Sequence, residues 1–236
     1  MENWQIRQEA LLPGSCDLLS KKHIAVFGIG GVGGYVCEAL ARAGVGNFTL
    51  VDSDTVSESN KNRQIIATEN TVGKFKTEAM KERMLSISPK INITCINKFV
   101  TAETVSEFIP ENADFIADAV DTVSVKLALA KYAEDNGIGI ISSMGTGNKL
   151  HPELFEISDI YKTSVCPLCR SMRSRLKEMG VKALPVVYSK EEPAHITAES
   201  ANGRHAPASV SFVPPVAGMI MAGYIIRKLV LDTKEN

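Results

Sequence analysis

The sequence has no excess of charge of either sign and few cysteines. Among its 236 residues, 26 lysines and arginines balance 27 aspartates and glutamates, so the whole molecule offers no electrostatic attraction for nucleic acid. A nucleic-acid partner would need a local basic patch, and nothing indicates binding to DNA. The five cysteines are odd in number and lie mostly in apolar stretches, unlike the disulfide framework of a secreted protein. We therefore expect a cytoplasmic protein.

The sequence also lacks an apolar export signal near its start, where Glu2, Arg7 and Glu9 are charged. One apolar stretch, at residues 213–231, has nearly the length of a membrane span, but two prolines and two basic residues interrupt it. We expect a packed helix there and no membrane partner. Because 44% of the residues are hydrophobic, the chain is able to form a sizeable core.

Short apolar runs alternate with helical stretches over the first 147 residues. Strands are predicted at 23–27, 48–52, 91–96, 114–118 and 138–141. Helices are predicted from the glycine-rich turn to residue 43 and at 74–87, 101–108 and 123–136. This alternation is typical of a parallel sheet covered by helices on both faces, so we predict an α/β fold with a doubly wound, mainly parallel, Rossmann-like sheet.

The alternation stops near residue 147. Beyond it the sequence predicts a strand at 154–160, a basic helix at 167–179, a strand near 186–188 and a long polar loop near 189–207. We therefore divide the chain into a main domain at 1–147 and a small α+β C-terminal extension at 148–236, packed on the same domain.

A glycine-rich turn follows the first predicted strand and opens a helix. Gly28, Gly30 and Gly33 match the G-x-G-x-x-G fingerprint, and Gly31 lies inside it. Without side chains, this backbone can approach a phosphate, which the N–H groups at the helix start then bind. The motif alone fits NAD or FAD more often than ATP.

Acidic residues end two predicted strands. Asp52, at the end of the second, is placed to accept hydrogen bonds from ribose hydroxyls, which NAD and ATP both carry, or to serve as a turn residue. Asp118 and Asp121 follow the fourth strand, where a carboxylate can hold Mg²⁺ between phosphates. We favour Asp121 for the metal, because Asp118 could equally be a helix cap or a strand terminus.

Basic residues after the second strand distinguish ATP from NAD. Arg63 and Lys76, together with Asn60, could converge on a triphosphate, where an Arg fork and a Lys point charge neutralise the charge that develops on transfer. The alternative is that both are solvated cations on helix surfaces. An NAD-binding redox sensor, or a nucleotide-dependent interaction protein without catalysis, would have no need of them.

These elements, in this order and spacing, resemble the ThiF/ubiquitin-activating-enzyme-like superfamily of adenylyltransferases over about residues 5–147. The resemblance rests on Gly28-x-Gly-Gly-x-Gly33, Asp52-x-Asp54, Asn60-x-x-Arg63-Gln64, Lys76 and Asp121. It implies that ATP and magnesium are the cofactors, that Asp52 and Asp54 bind the nucleotide, and that 1–147 is an ATP-binding adenylation domain. It also implies catalytic roles for Arg63, Lys76 and Asp121, and for Arg7, which would reach the nucleotide of the other subunit in a homodimer.

The last third of the chain looks like that of the tRNA threonylcarbamoyladenosine dehydratases, through segments 159–168, 173–177, 187–193 and 209–218. This resemblance implies that the substrate is tRNA bearing threonylcarbamoyladenosine beside the anticodon. The threonyl carboxylate would be adenylated and the base cyclised, with release of AMP and pyrophosphate. The alternative is an adenylyltransferase that activates the C-terminus of a ubiquitin-like sulfur-carrier protein.

The single Cys-x-x-Cys pair, Cys166 and Cys169, cannot form a four-sulfur zinc site. His151, His195 and His205 show no spacing that would complete one. Cys169 falls on an apolar helical stripe, which favours a structural role over catalysis or sulfur relay.

The densest basic stretch of the chain lies on the same predicted helix. Arg170, Arg173 and Lys177 recur at helical spacing, on a face that we predict to lie opposite the apolar stripe. We predict that these three residues bind tRNA phosphates; the alternative is a solvated face.

Overall fold

The computed structural model describes residues 2–194, 196–199 and 205–231. The strands are β1 (His23–Phe27), β2 (Asn47–Val51), β3 (Asn92–Ile96), β4 (Phe115–Asp118), β5 (Gly139–Ser143), β6 (Phe155–Asp159), β7 (Pro185–Ser189), β8 (Thr197–Glu199) and β9 (His205–Pro207). The helices are α1 (Ile6–Leu11), α2 (Ser15–Ser20), α3 (Gly33–Arg42), α4 (Lys76–Ile87), α5 (Val123–Asn136), α6 (Pro167–Glu178) and α7 (Val213–Val230).

Seven strands form one sheet in the order β3-β2-β1-β4-β5-β7-β6. All neighbours pair in parallel except the edge strand β6, which is antiparallel to β7. The chain moves outward from β1 through β2 and β3, and then returns to the other side of β1 to form β4. This reversal opens a crevice at the carboxyl ends of β1 and β4, the usual ligand position in such sheets. The predicted doubly wound, mainly parallel fold is therefore confirmed.

Helices cover both faces of the sheet, which explains why its central strands are continuous apolar runs. One core packs β1 and β2 side chains such as Ile24 and Leu50 against α3, α4 and α7. The other packs Phe27 and Ile116 against α5 and α6. The C-terminal third shares this sheet, since β7 pairs with β5.

Helix α7 is the predicted packed helix of the apolar stretch. It contributes Ala217, Met221 and Ile225 to the first core, and Gly218 lies so close to α3 that an added Cβ would stand 2.5 Å from the carbonyl oxygen of Val32. Among the described residues, α7 is the one helix long and apolar enough to cross a membrane by length and composition, and half of it is buried inside the protein.

The helix predicted at 101–108 is wrong. Only a short 3₁₀ turn, Val105–Phe108, forms there. The Oγ1 atom of Thr104 accepts a hydrogen bond from the backbone N–H of Thr101 at 3.1 Å, so a side chain takes up a donor at the start of the segment. Thr101, Thr104, Val105 and Ser106 are weak helix formers, so little intrinsic propensity supports a full helix here.

Short strands form within the segment near 189–207 that was predicted as a long loop. β7 continues to Ser189, and the short strands β8 and β9 pair as an antiparallel hairpin. His195 and residues 200–204, which belong to the predicted loop, lie outside the described residues. Helices α1 and α2, of six residues each, were not predicted, because so short an element carries little periodicity.

Candidate nucleotide site

A cavity of about 390 Å³ lies at the carboxyl ends of β1, β2 and β4, within the size range of small-molecule sites. It gathers nine of the residues that the sequence predicted for nucleotide binding, although they are spread over more than 90 positions. They are Gly28, Gly30, Gly31, Asp52, Asp54, Asn60, Arg63, Lys76 and Asp121. Gly33 begins α3 directly behind this lining.

The three fingerprint glycines meet different surroundings. Gly28 has a φ of +84°, and a Cβ there would stand 2.6 Å from the carbonyl oxygen of Ala119. A Cβ at Gly33 would lie 1.8 Å from the carbonyl oxygen of Gly28. At Gly30, in contrast, the nearest atom is Nε2 of Gln64 at 3.8 Å. The fold itself therefore requires Gly28 and Gly33, whereas Gly30 leaves open space where a ligand can approach the backbone.

Asp52 connects the glycine-rich turn to the next loop. Its Oδ2 atom accepts the backbone N–H of Ile29 at 2.7 Å, and its Oδ1 atom accepts that of Asp54 at 2.8 Å. The side chain is only half-buried, and each carboxylate oxygen can accept more than one hydrogen bond. Asp52 therefore serves the turn and still presents acceptors to the cavity.

Lys76 occupies an electrostatically unfavourable place, since it is the first residue of α4 and a cation at a helix N-terminus opposes the helix dipole. The residue is 7% exposed, and its Nζ lies 2.6 Å from Oδ2 of Asp54, whose side chain is largely exposed. The largely exposed Asp54 carboxylate offsets the positive charge of Lys76 only in part. The Lys76 ammonium has three protons and can therefore bind further anionic partners.

Arg63 is half-buried without an acidic partner among the described residues. Its Nη1 donates to the carbonyl oxygen of Ser59 at 3.2 Å and to Oδ1 of Asn62 at 2.9 Å, both neutral acceptors. Burial lowers the pKa of the Arg63 guanidinium below its usual range. Asn60, behind it, is buried and caps its own turn through the N–H of Ser57 at 3.2 Å. A half-buried cation of this kind is suited to an anionic ligand.

The two candidate metal carboxylates at the end of β4 differ in solvent exposure and in their hydrogen-bond partners. Asp118 is 0% exposed and is held by the side chains of Lys126 and Ser142. Asp121 is exposed on the cavity rim, with one long contact of 3.4 Å from the hydroxyl of Thr122. Only Asp121 therefore has carboxylate oxygens available to a ligand.

Gln64, Lys98 and Phe99 are among the cavity-lining residues that sequence reasoning missed. Oε1 of Gln64 is buried and has no hydrogen-bond partner among the described residues. Nζ of Lys98 lies 6.0 Å from the ring centre of Phe108. Phe99 is 73% exposed at the rim of the cavity. Gln64 could have been chosen from the Asn60-x-x-Arg63-Gln64 motif, but no pattern singles out Lys98 or Phe99.

Arg7 does not reach the cavity of its own chain. It is exposed on α1, and the residues that line the cavity do not include it. Its predicted catalytic role therefore depends on a second subunit and stays a prediction.

The basic helix α6 places its three predicted tRNA residues in two environments. Arg170 and Lys177 are exposed, but Nη1 of Arg173 donates to Oγ1 and to the carbonyl oxygen of Thr163 at 2.8 and 3.1 Å. The buried stripe of this helix is Cys169, Met172 and Leu176. Because consecutive residues differ by about 100° around a helix, the basic face flanks this stripe and does not lie opposite it, contrary to the prediction.

Among the residues that the structure describes, no group of three or more His, Cys, Asp or Glu side chains is placed to hold a metal ion. His151 is paired with Glu153 at 2.8 Å, and neither His195 nor the side chain of His205 belongs to the described part. Cys166 and Cys169 are buried beside one another at the start of α6.

Comparisons with known proteins point in one direction. The ThiF family matches residues 3–236. A tRNA threonylcarbamoyladenosine dehydratase of Bacillus subtilis is 38% identical over 228 residues, which are 92% of this chain and 90% of that protein. The Escherichia coli protein of the same name is 40% identical over 165 residues, 70% of this chain and 62% of that one. The crystal structure of the E. coli enzyme with ATP superposes with a TM-score of 0.89 at 29% identity, covering 100% of this chain and 98% of that one.

Proposed function

This chain belongs to the ThiF family, and from that premise we propose that it is an ATP-dependent tRNA threonylcarbamoyladenosine dehydratase. The observation that carries the proposal is the single cavity in which nine predicted nucleotide-binding residues meet. It is supported by relatives of that name and by the similar fold of one crystallised with ATP.

The nucleotide would lie across the carboxyl edge of β1 and β2. Backbone N–H groups of the glycine-rich turn and the start of α3 bind phosphates, with Gly30 leaving room for their approach. Asp52 accepts from the ribose hydroxyls. Arg63 and Lys76 supply the positive charge that stabilises the triphosphate as pyrophosphate leaves.

Asp121 fits the requirement for magnesium. Mg²⁺ is usually held by one or two carboxylates together with substrate phosphates, and does not need a cage of protein ligands. Asp121 is an exposed carboxylate on the cavity rim without a cationic partner among the described residues. When bound, the ion would neutralise negative charge on the phosphates.

The reaction converts a poor electrophile into a good one. In adenylation, an oxygen of the threonyl carboxylate attacks the α-phosphorus of ATP and pyrophosphate leaves. The acyl carbon then carries AMP as a leaving group. The carbamoyl group of the same nucleoside attacks that carbon, closes the ring and releases AMP. Because nucleophile and electrophile belong to one molecule, the effective concentration is high, and no carrier protein or protein thiol is required.

We also propose a cytoplasmic homodimer, in which Arg7 of one subunit reaches the nucleotide of the other. The exposed position of Arg7 on α1, away from the cavity of its own chain, is compatible with that role. For the tRNA, Arg170 and Lys177 are exposed basic residues on α6.

Activation of a sulfur-carrier protein is the second candidate. Sulfur-carrier adenylyltransferases usually carry two Cys-x-x-Cys pairs for zinc, and the whole sequence has one such pair. A dehydratase needs none, which favours the first candidate.

The proposal is tested by incubating the purified protein with ATP, magnesium and tRNA that carries threonylcarbamoyladenosine. We expect the nucleoside to lose one water for each AMP released, measured by mass spectrometry and chromatography. AMP release only in the presence of a carrier protein ending in Gly-Gly would contradict it. Unmodified tRNA is the matched control and should support neither product.

A further inference from the structure

Cys166 and Cys169 form a close pair at the start of α6. Cys166 is the residue before the first turn, with an extended backbone at φ −63° and ψ 117°, and Cys169 is the third residue of the helix. Residues three apart at a helix start are neighbours on the same side of the helix, so the two cysteines lie next to each other. The two thiols lie close enough together to shift each other's pKa.

The two thiols are chemically unequal. The contact with Cys169 and the backbone N–H groups of Cys169 and Leu168 lower the pKa of Cys166 to about 6, and the Lys149 ammonium adds to the effect. The same contact, together with burial, raises the pKa of Cys169 far above its usual range. These opposite shifts favour Cys166 over Cys169 as the thiolate of the pair.

The turn that precedes the two cysteines has an unfavourable backbone conformation. Val165 has a φ of +61°, a conformation that a β-branched residue rarely adopts. The N–H of Cys166 donates to the carbonyl oxygen of Ser164 at 2.6 Å, which closes this tight turn. Lys149 is 5% exposed and donates to the carbonyl oxygen of Glu191, so a nearly buried cation is fixed in the vicinity.

A cysteine with a purely structural role has a different environment, and Cys37 provides the comparison. Cys37 is fully buried in the first core, where burial raises the pKa of its thiol well above the usual value. Such a thiol is inert. Cys166 is 5% exposed, yet its surroundings favour the charged form.

We propose that Cys166 and Cys169 form a redox-active dithiol that exchanges with low-molecular-weight disulfides, of which glutathione disulfide is the probe. The Cys166 thiolate attacks one sulfur of the disulfide and expels one glutathione thiolate, leaving a mixed disulfide on Cys166. Cys169 then loses its proton and attacks Sγ of Cys166, which expels the second glutathione thiolate. The protein loses two electrons and gains an intrachain disulfide, and the probe is reduced to two thiols.

The order of attack follows from the structure. Cys166 is the thiol whose pKa is lowered and is 5% exposed, whereas Cys169 is 0% exposed and faces Cys166 and Thr163. Residues three apart at a helix start are close enough for the ring to close once the sulfurs meet. The site belongs to the protein alone, so its test requires neither ATP nor tRNA.

The experiment equilibrates the full-length protein in mixtures of reduced and oxidised glutathione, quenches with acid and analyses the alkylated peptides by mass spectrometry. We expect the wild type to form the Cys166–Cys169 disulfide, with little glutathione adduct. Cys169→Ser should instead accumulate glutathione on Cys166, and Cys166→Ser should form neither product.

Cys95→Ser is the matched control. Cys95 is more exposed than Cys166, but burial raises the pKa of its thiol to about 11, so the variant should form the Cys166–Cys169 disulfide as the wild type does. Circular dichroism identifies any variant that fails to fold, and Cys169→Ala then replaces Cys169→Ser. The proposal is overturned if wild-type Cys166 and Cys169 stay reduced in oxidised glutathione, or if the folded Cys169 variant carries its adduct on Cys95 instead of Cys166.

Discussion

Nζ of Lys126 lies 3.1 Å from each carboxylate oxygen of Asp118, and both side chains are excluded from solvent at 1% and 0% exposure. The hydroxyl of Ser142 donates to the same carboxylate at 2.5 Å, and the carbonyl oxygen of Ser143 accepts from Lys126 at 2.7 Å. The ion pair therefore links the end of β4 to α5, the two elements that flank the turn carrying Asp121. Its further hydrogen bonds link both to β5.

Replacing Lys126 by Met should destabilise the protein by about 3–5 kcal/mol, because it leaves a buried carboxylate without its partner. Urea unfolding measures the change. Adding Asp118→Asn should recover part of the loss, since the buried charge is then gone. Lys131→Met is the control on the same helix: Lys131 pairs with Asp135 at the surface, and its loss should matter little. Equal losses at both lysines would contradict this account.

The strands and helices that sequence patterns predicted well are those with strong apolar periodicity or a clear cap. The bounds of β1 and α5 agree with the prediction, and α5 is followed by Gly137, whose φ of +64° suits a helix cap. The prediction at 101–108 was wrong because four of its eight residues, two threonines, a valine and a serine, are weak helix formers, and only a short 3₁₀ turn forms.

The sequence predicted those residues of the candidate site that belong to recognisable motifs. The convergence of Gly30, Arg63 and Asp121 follows from the edge at which parallel strands end. The Asp118–Lys126 pair was not foreseen, since nothing in the sequence shows that a lysine in α5 turns inward. Lys98 and Phe99 were also missed, because the fold alone places the loop after β3 beside the cavity.

Gly30→Ala should leave the fold intact and weaken ATP binding. The added methyl group meets open space in the protein but projects into the cavity where a phosphate would approach the backbone. We expect at least tenfold lower affinity by calorimetry, about 1.4 kcal/mol. Gly33→Ala is the contrast: its Cβ would overlap the carbonyl oxygen of Gly28, so the variant should lose thermal stability. Unchanged ATP affinity in Gly30→Ala would separate the glycine-rich turn from phosphate binding.

Asp121→Asn should keep the thermal stability of the wild type and lower turnover by several orders of magnitude. The side chain is exposed, so the fold does not depend on it, but a neutral amide replaces the charge that would hold magnesium near the transferring phosphate. AMP release is the measurement. A rate near that of the wild type would remove Asp121 from the site.

The Cys166 thiol should react with iodoacetamide as a group with a pKa of about 6. The thiolate is the reactive form, so the rate should rise from pH 5 to 7 and then level off, whereas Cys95, with its pKa raised to about 11, should still be accelerating above pH 9. Rates come from peptide mass spectrometry at each pH. A Cys166 profile that rises only above pH 8 would contradict the assigned charge.

Dehydratase turnover should not depend on these thiols. Cys166→Ser and Cys169→Ser should each retain most activity, because ring closure within one nucleoside requires no protein nucleophile. The measurement is AMP release together with thermal unfolding. Loss of turnover at unchanged stability in either variant would indicate a catalytic thiol and revive sulfur-relay chemistry.

Replacing Arg170 and Lys177 by Gln should weaken tRNA binding and flatten its dependence on salt. Both side chains are exposed on α6, and each phosphate contact releases counterions on binding, so the slope of log affinity against log salt should fall by about two contacts' worth. Arg173 is left in place in this pair of changes, because its hydrogen bonds to Thr163 give it a structural role as well. Adding Arg173→Gln tests whether it also contacts tRNA, provided that thermal unfolding is unchanged.

Lys131→Gln on α5 supplies the control for a general loss of positive charge and should leave the slope as it is. ATP affinity should stay constant in every variant, since α6 contributes no residue to the nucleotide cavity. The salt slope distinguishes a direct phosphate contact from a loss of folded protein, which would lower the fraction bound without changing the slope. If filter-binding isotherms at several salt concentrations superimpose for the double variant and the wild type, α6 is only a solvated face and tRNA binds to another surface.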